Sequence, residues 1–562
     1  MTKDRAYDRH GTGFGIFPIP NRTINTRSST ARVVVFPYSK QNFGTASNVR
    51  PLKFSSSQVL HTSDRDEFGS NKSYIEIDSE IDKIGISKNI RSPSASFNIS
   101  LLPSRNWKYL INPGDWLLIY LYHGELDDYD ETTVNMVLCG NVDRVSRVKE
   151  KDEETDKTLL RYRVSGRNFG KVFETTEVFF DPYQTNQNIL DETLRDNGLE
   201  LGGSPDDLVK QYLDVFLGPG AFLKTGRTSP LGQWKIPKVL NSIVASSFSG
   251  DFLPTVDRSF YDILDQKIDS GLPGYKARQM IGLGGDGNLW EAVKRGSNSL
   301  VNEVFCEEIR DSSGYSTPSI VLRPRPYNTV FFDSQFGGNL LLKAKLSGAH
   351  TTLQDLASSS FVEIDPAEII FEDLGMDDHS RFNMIWLSTR NYTNDTHSYY
   401  GNQASNGVGL PMILRESIER YGLRRFDNTM EFAYLLQGLK ENTADIQIYK
   451  AFIAQIYDFY YANHLYEQGT METSGVLEAE LGKCLRIRTE DPLLEPEKIY
   501  YIEGYEHNFT SLGKWTTTFT LTRGQFNTSI GAEVFIDQTL QDFGNIDTVN
   551  DPHTLVKSKV DR

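Results

Sequence analysis

Gly114-Asp115-Trp116-Leu117-Leu118-Ile119, then Val137-Leu138-Cys139-Gly140, then Arg161-Tyr162-Arg163-Val164-Ser165-Gly166 form one group of segments. About 360 residues later come Gly482-Lys483-Cys484-Leu485-Arg486-Ile487, Tyr501-Ile502-Glu503-Gly504 and Phe519-Thr520-Leu521-Thr522-Arg523-Gly524. Each group reads as three strands, with a turn glycine opening the first and a glycine ending or bending each of the next two. The glycines are spaced 26 and 26 residues apart in the first group, and 22 and 20 in the second. Strand cores of similar length on connections of variable length are what surface loops tolerate. Two readings stay open on this pattern. Short glycine-flanked apolar runs recur in any β-protein, or the chain carries a duplicated small β-domain. Duplication suits a subunit of a ring or tube, because it doubles the apparent symmetry of the oligomer.

The chain of 562 residues exceeds what one core supports and is expected to hold several compact units. Its 38% hydrophobic and 24% charged residues are ordinary for a soluble protein. No apolar run approaches the ~18 residues of a membrane span, and no cleaved secretion signal is expected after Met1-Thr2-Lys3-Asp4-Arg5. A net charge of −16 argues against nucleic-acid binding over the whole surface. Cys139, Cys306 and Cys484 are odd in number and widely spaced, so a disulfide framework is not expected. They read as small buried hydrophobes from a reduced, cytoplasmic site of synthesis.

Residues 1–85 read as an extended N-terminal arm with one strand at Arg32-Val33-Val34-Val35-Phe36. Residues 86–182 read as a first β-barrel. Within it, Phe97, Ile99 and Leu101 alternate with Ser96, Asn98 and Ser100, and the apolar run Trp116–Tyr122 calls for a strand covered on both faces. Lys149–Glu154 is a solvated hairpin tip. Residues 183–328 read as a mixed, mainly helical insertion. Helices are expected to start at Ser204-Pro205-Asp206-Asp207 and Ile236-Pro237, a third to run from Leu289 to Phe305, and a strand to follow at Ser319–Arg323.

A second barrel is expected to start in 329–395, with strands near 364–371 and 382–388, and to be completed by 471–528. A helical insertion at 396–470 interrupts it. That insertion includes a helix near 445–466 with a packing stripe of Ile448, Phe452, Ile456 and Tyr460. Trp515, Thr517, Phe519 and Leu521 face one way and Thr516, Thr518, Thr520 and Thr522 the other, as in a barrel wall lining a wet channel. Residues 529–562 read as a C-terminal tail.

Candidate chemistry fails on inspection. Gly282-Leu283-Gly284-Gly285-Asp286-Gly287 has the dinucleotide-fingerprint spacing, but no buried parallel strand precedes it. In Gly218-Pro219-Gly220-Ala221-Phe222-Leu223-Lys224-Thr225, Leu223 stands where a phosphate loop needs glycine. Asp377-Asp378-His379 reads as a turn before a metal site, and Asp127–Glu131 as a hairpin tip before a calcium loop. The nine histidines form no zinc motif. No catalytic, cofactor-binding or metal residues are assigned, no cofactor is expected, and the chain reads as no enzyme.

Several segments, in chain order, resemble the baseplate hub proteins of contractile phage tails, the trimeric tube-to-spike adaptors related to type VI secretion hub domains. Gly114–Leu117, Gly140–Val145 and Val164–Asn168 resemble the first tube-forming barrel of that family. Asn302–Phe305, Pro318–Tyr327, Ile418–Arg424, Gly469–Met471, Tyr500–His507 and Leu521–Gly524 follow, so the likeness runs from Pro93 to Gly524 and leaves out the arm and the tail.

The resemblance implies a mainly β protein with two related antiparallel tube-forming barrels, α+β insertions and extended arms. It implies a homotrimer with six barrels around a channel. The expected partners are the hexameric tail tube or its initiator ring, the trimeric central spike and baseplate wedge proteins. Tape measure protein and DNA would pass through, with no membrane insertion, and the site would be the virion tail baseplate. If part of the negative charge lines the bore, DNA would not adhere to the wall. Two alternatives stay open. One is the hub of a type VI-like or phage-derived injection particle, in which the spike is often fused to the same chain. The other is a tail-associated cell-wall hydrolase with its catalytic unit in 183–328.

Overall fold

The computed structural model describes residues 29–36, 75–123, 136–151, 158–178, 205–218, 260–269, 287–297, 302–310, 316–325, 361–389, 412–413, 415–430, 466–488, 497–511 and 514–526, with 299, 460 and 464 singly. The fold is mainly antiparallel β with helical insertions. The first group of strands is β1 (Ser29–Phe36), β2 (Ile75–Ile77), β3 (Ile81–Asn89), β4 (Ser96–Leu101), β5 (Trp116–His123), β6 (Met136–Lys151) and β7 (Thr158–Asn168). Alternation decides which side faces in. Ile84, Ile86, Phe97, Ile99, Leu101, Leu117, Ile119, Leu121, Tyr162 and Val164 share one core with Val33 and Val35 of β1 and Ile75 and Ile77 of β2.

The barrel therefore begins before residue 86. Strand β1 pairs along all of β5, and β2 and β3 are joined by a turn in which the Ile81 amide donates to the Asp78 carbonyl. Residues 29–36 and 75–85 leave the expected arm for the barrel because Val33, Val35, Ile75, Ile77, Ile81 and Ile84 bury their side chains there. The rest of 1–74 lies outside the described residues.

The helix Lys171–Thr175 and β8 (Glu177–Val178) follow the first barrel's strands, and the first insertion contributes β9 (Asp265–Ile268), β10 (Gly287–Asn288), β11 (Asn302–Arg310) and β12 (Ser316–Pro324), with helices at Pro205–Phe216, Phe260–Ile263 and Leu289–Gly296. It is as much sheet as helix among the described residues. The helix expected over 289–305 ends at Gly296, capped at its start by the Asn288 side chain, and the apolar residues after it turn to strand β11 paired with β12. Phe260 lies against Trp116 and Phe169 at ring-centroid distances of 6.3 and 6.0 Å. The insertion thus covers the outer face of β5 at its Trp116 end, and Leu118, Tyr120 and Tyr122 further along that face are buried too, as a strand covered on both faces requires.

The second group consists of β13 (Phe361–Ile364) and β14 (Ile369–Met376), then, after an interruption, β18 (Glu467–Ser474), β19 (Cys484–Ile487), β20 (Lys498–Thr510) and β21 (Lys514–Phe526). The interruption holds β15 (Met384–Thr389), β16 (Met412–Ile413) and β17 (Arg425–Met430), which form a separate three-stranded sheet. The strand expected near 382–388 therefore belongs to the second insertion. It pairs in parallel with β17, a pairing that a linear reading of apolar alternation does not reveal. Val362, Ile364, Met471, Leu485, Tyr500, Ile502, Phe519 and Leu521 build the second core, joined by Phe305 and Val321 from the first insertion. Of the stripe expected near 445–466, only Tyr460 is among the described residues, stacked on Phe426 at 4.1 Å. The helix start at 236–237, the Asp127–Glu131 segment and the tail at 529–562 lie outside them.

Both groups belong to one 13-stranded sheet, in which β3 of the first barrel pairs with β20 of the second.

Candidate assembly surface

The duplication can be read off the hydrogen bonds. In the first barrel the Gly114 amide donates to Val142 and the Val142 amide to Asp115; in the second, Gly482 donates to Ile502 and Ile502 to Lys483, all at 2.8–3.0 Å. Gly114 and Gly482 both have positive φ, +93° and +75°, as a turn opening a strand requires. One step on, β6 skips Asp143 in its pairing with β7, and β20 skips Glu503 in its pairing with β21. At the other end, β3 skips Asp82 against β4, and β14 skips Ile370 against β18. Two bulges at matching places fix a residue-by-residue equivalence: β2 with β13, β3 with β14, β4 with β18, β5 with β19, β6 with β20 and β7 with β21.

The equivalence corrects the sequence pattern in one respect. Only the opening glycines correspond. Through the ladders, Gly140 matches Tyr500 and Gly166 matches Leu521. Gly166 serves a local purpose, since the Phe97 ring lies 2.6 Å from where its Cβ would be.

Where the barrels meet, Lys83–Asn89 of β3 pair with Gly504–Thr510 of β20. On the side away from the two cores, Ser87, Asn98, Arg163, Thr470, Glu506, Asn508 and Thr520 are exposed, with Ser100, Ser165, Glu472 and Thr518 beside them half-buried. A wall of mostly hydroxyl and amide groups thus crosses the seam without interruption. The same face carries Lys83, Arg144, Arg161 and Arg163 on the first barrel and Glu472 and Glu506 on the second, so its described part is not uniformly acidic.

Behind the seam the first insertion grips both barrels. Lys88 Nζ donates to Glu307 Oε1 and Glu308 Oε2, each at 2.5 Å, with all three side chains buried. The Tyr505 hydroxyl and the Leu481 amide donate to Glu307, and the Cys139 amide to Glu308. Two strands of the first barrel, two segments of the second and β11 of the insertion therefore converge on two carboxylates. Burial pushes Glu308 up to about 7 against the pull of Lys88. Lys88 itself is disfavoured as a cation by burial, yet Glu307 and Glu308 carry it well above the ordinary lysine value.

Nearby, Arg323 of β12 donates to Glu303 at 2.7 Å and to the Gly482 carbonyl at 2.5 Å, and the Tyr501 hydroxyl donates to Glu303 at 2.6 Å. His507 is buried beside Thr517 and pushed down to about 3 by burial and then by Lys88, so it stays neutral.

None of these clasp residues was singled out from sequence. A signal existed: Glu307-Glu308 interrupts an apolar strand, and Lys88 continues the inward alternation of Ile84 and Ile86. Such charges are buried only when paired.

Parts of the motifs weighed for chemistry lie among the described residues, where they make local contacts. Gly287 forms an antiparallel bridge with Val178 immediately before a helix. Gly218 ends the helix Pro205–Phe216, its amide donating to Leu213. Asp377 accepts from the His379 amide in a one-turn 3-10 helix, and Asp378 pairs with Arg381 and Arg424. Among the described residues no group of three or more His, Cys, Asp or Glu could hold a metal, and no helix is long and apolar enough to cross a membrane. The three cysteines are free and buried; burial raises all three thiols, Cys484 to about 12.

No protein-family model matches the chain, and no curated protein matches it. Among solved structures it is similar to the 43 kDa tail protein of prophage MuSo2 from Shewanella oneidensis, with 10% identity over 80% of this chain and 95% of that one and a TM-score of 0.38. A tail protein from Neisseria meningitidis MC58 is 11% identical over 80% of this chain and 93% of that one, at a TM-score of 0.36. The Francisella PdpA–VgrG complex is 9% identical over 92% of this chain and 60% of that one, at 0.35. The neighbours are phage tail proteins and a VgrG complex.

Proposed function

We propose that this chain is the structural hub of a contractile phage-tail baseplate. Three copies would place six equivalent barrels around a channel, joining the hexameric tail tube on one side to the trimeric spike on the other. The observation that carries the reading is the duplication itself, two barrels that share an opening turn and two bulges at matching places and are fused through one sheet. A three-fold ring of such chains offers a six-fold tube six near-identical contacts, which a single-barrel subunit in a trimer could not.

The hydroxyl and amide wall across the seam fits the bore. It offers a passing tape measure protein or DNA hydrogen bonds that water also supplies, and its charges are of both signs. The insertions, which lie outside the repeated strands, would meet the wedge proteins. The work of the chain in this reading is recognition rather than catalysis, at the tail baseplate of the virion.

The test is electron microscopy of the purified chain, with end-on views averaged. The expected image is a three-fold ring with six lobes and a central hole. Asymmetric particles without a hole, both alone and with the spike protein added, would overturn the reading.

A further inference from the structure

The two barrels are equivalent, but their edges are used differently. Each barrel offers a first edge, at β3 or β14, and a second edge, on the half of β6 or β20 that extends beyond its pairing with β5 or β19. Inside the chain, the first edge of barrel one is paired with the second edge of barrel two. Among the described residues, β14 pairs only with β18, and the Asp143–Lys149 half of β6 pairs only with β7. Among the described residues one edge of each kind is thus left over, β14 at one end of the sheet order and the half of β6 that runs past β5 towards the other.

We infer that β14 of one copy pairs with the open half of β6 in a second copy, in the register that the internal seam dictates. Lys88 opposite Tyr505 and Asn89 opposite Gly504 become, by the bulge-anchored equivalence, Met376 opposite Val145 and Asp377 opposite Arg144. The same shift sets Glu372 opposite Lys149. An acid thus faces a base at both ends of the seam, and an apolar pair lies between them.

The edges are complementary as wholes. Glu372, Asp373 and Asp377 make the β14 segment acidic, while Arg144, Arg147 and Lys149 make the β6 segment basic. Cross-strand pairing of this kind stabilises one register and penalises others. Ile370, Phe371 and Met376 are 55%, 55% and 63% exposed, an apolar load unusual for a terminal strand left to solvent. The contact is heterologous, so it either closes a ring or continues as a filament. Because the seam between copies repeats the geometry of the seam inside the chain, each barrel is turned from the last by the same angle, and a ring forms where that turn divides a full circle without a rise. That closure takes three copies rests on the hub reading; the pairing does not.

The test uses the full chain carrying Met376→Cys and Val145→Cys, oxidised mildly, with molecular mass measured in parallel. A second variant carries Met376→Cys and Ser146→Cys, one residue out of register, which turns the thiols to opposite faces. The expected result is a covalent ladder from the first variant, reversed by reductant, and none from the second. Lys149→Glu is expected to raise the concentration for half-assembly by about tenfold, and Glu372→Lys in the same chain to restore it. Trimers that cross-link in neither variant and ignore Lys149→Glu would overturn the pairing and leave the hub reading standing. A chain that stays monomeric at its solubility limit, without cross-links, both alone and with the spike protein added, would overturn both.

Discussion

The first and second barrels answer the same backbone plan with different side chains at the same place. At the inward position of the third residue from the first-edge bulge and beyond, β3 carries Ile84, Ile86 and Lys88, while β14 carries Glu372, Leu374 and Met376. Lys88 is 3% exposed and Met376 63%. A cation has been buried where the edge is covered inside the chain, and an apolar group exposed where it is not. The first barrel also carries an additional strand. Strand β1 separates β2 from β5, whereas β13, the counterpart of β2, pairs directly with β19. Equivalent strands tolerate these substitutions because bulges and turns fix the ladder, and side chains only adapt to whatever covers the edge. Differences between the barrels therefore report what each edge meets.

The largest effect is expected at the covered edge. Lys88→Met removes the cation from two buried carboxylates that also hold Leu481, Tyr505 and Cys139. Stranding such charges typically costs about 3–5 kcal/mol. Amide hydrogen exchange should accelerate over Ile84–Asn89 and Tyr505–Phe509 while the middle of β5 keeps its protection. Uniform loss of protection throughout the molecule would mean that the clasp holds the whole fold rather than the seam.

How much of this was legible depended on the kind of residue. Strands with Ile, Val and Phe in strict alternation, such as Phe97–Leu101 and Trp515–Leu521, announce both their existence and their inward face. The duplication was legible from Gly114 and Gly482, because a positive φ leaves a mark in sequence. Its register was not. The bulges at Asp143 and Glu503 carry no compositional mark, and Gly140 and Gly504 were paired on appearance although their strands place them four residues apart. The clasp was hidden because it joins Lys88 to Glu307 and Glu308, about 220 residues away, and the sequence does not say which distant charges will meet. The first barrel began earlier than expected for a similar reason. Strand β1 gains its partner β5 across a long connection, and nothing in Arg32–Phe36 distinguishes a strand in an arm from a strand in a barrel.

A second, smaller effect follows from the proton that the clasp shares. Glu308 in the folded chain titrates near 7, above the ordinary glutamate value of 4.5. The folded state therefore binds the proton more tightly than the unfolded one. This contribution to stability is complete below about pH 4.5 and lost as pH rises through about 7. Its size is at most about 3 kcal/mol. Exchange at the seam should be slower at pH 5 than at pH 8, after correction for the intrinsic rate, and Glu308→Gln should flatten the difference. An unchanged slope in Glu308→Gln would assign the titration elsewhere. No counterpart is expected in the second barrel's own edge, where Met376 replaces the lysine.

The opening glycines give the finest comparison, because backbone and surroundings can be separated there. Both have positive φ, so alanine at either should cost about 1 kcal/mol in backbone strain. Around Gly114 nothing lies within 4 Å of the added Cβ. Around Gly482 the Cβ would fall 2.8 Å from Phe305 and clash with the guanidinium of Arg323, which is held by Glu303, Tyr501 and the Gly482 carbonyl. Gly114→Ala should therefore lower the stability measured by denaturant unfolding slightly, and Gly482→Ala should lower it by about 1–2 kcal/mol more, the range for forcing an extra group into a packed core. The difference should shrink when Gly482→Ala is combined with Arg323→Ala, relative to Arg323→Ala alone, because the obstructing side chain is gone. If the two glycines cost the same in every background, Arg323 is mobile enough to give way. The clasp of the second barrel would then be held by Glu303 and Tyr501 rather than by the turn.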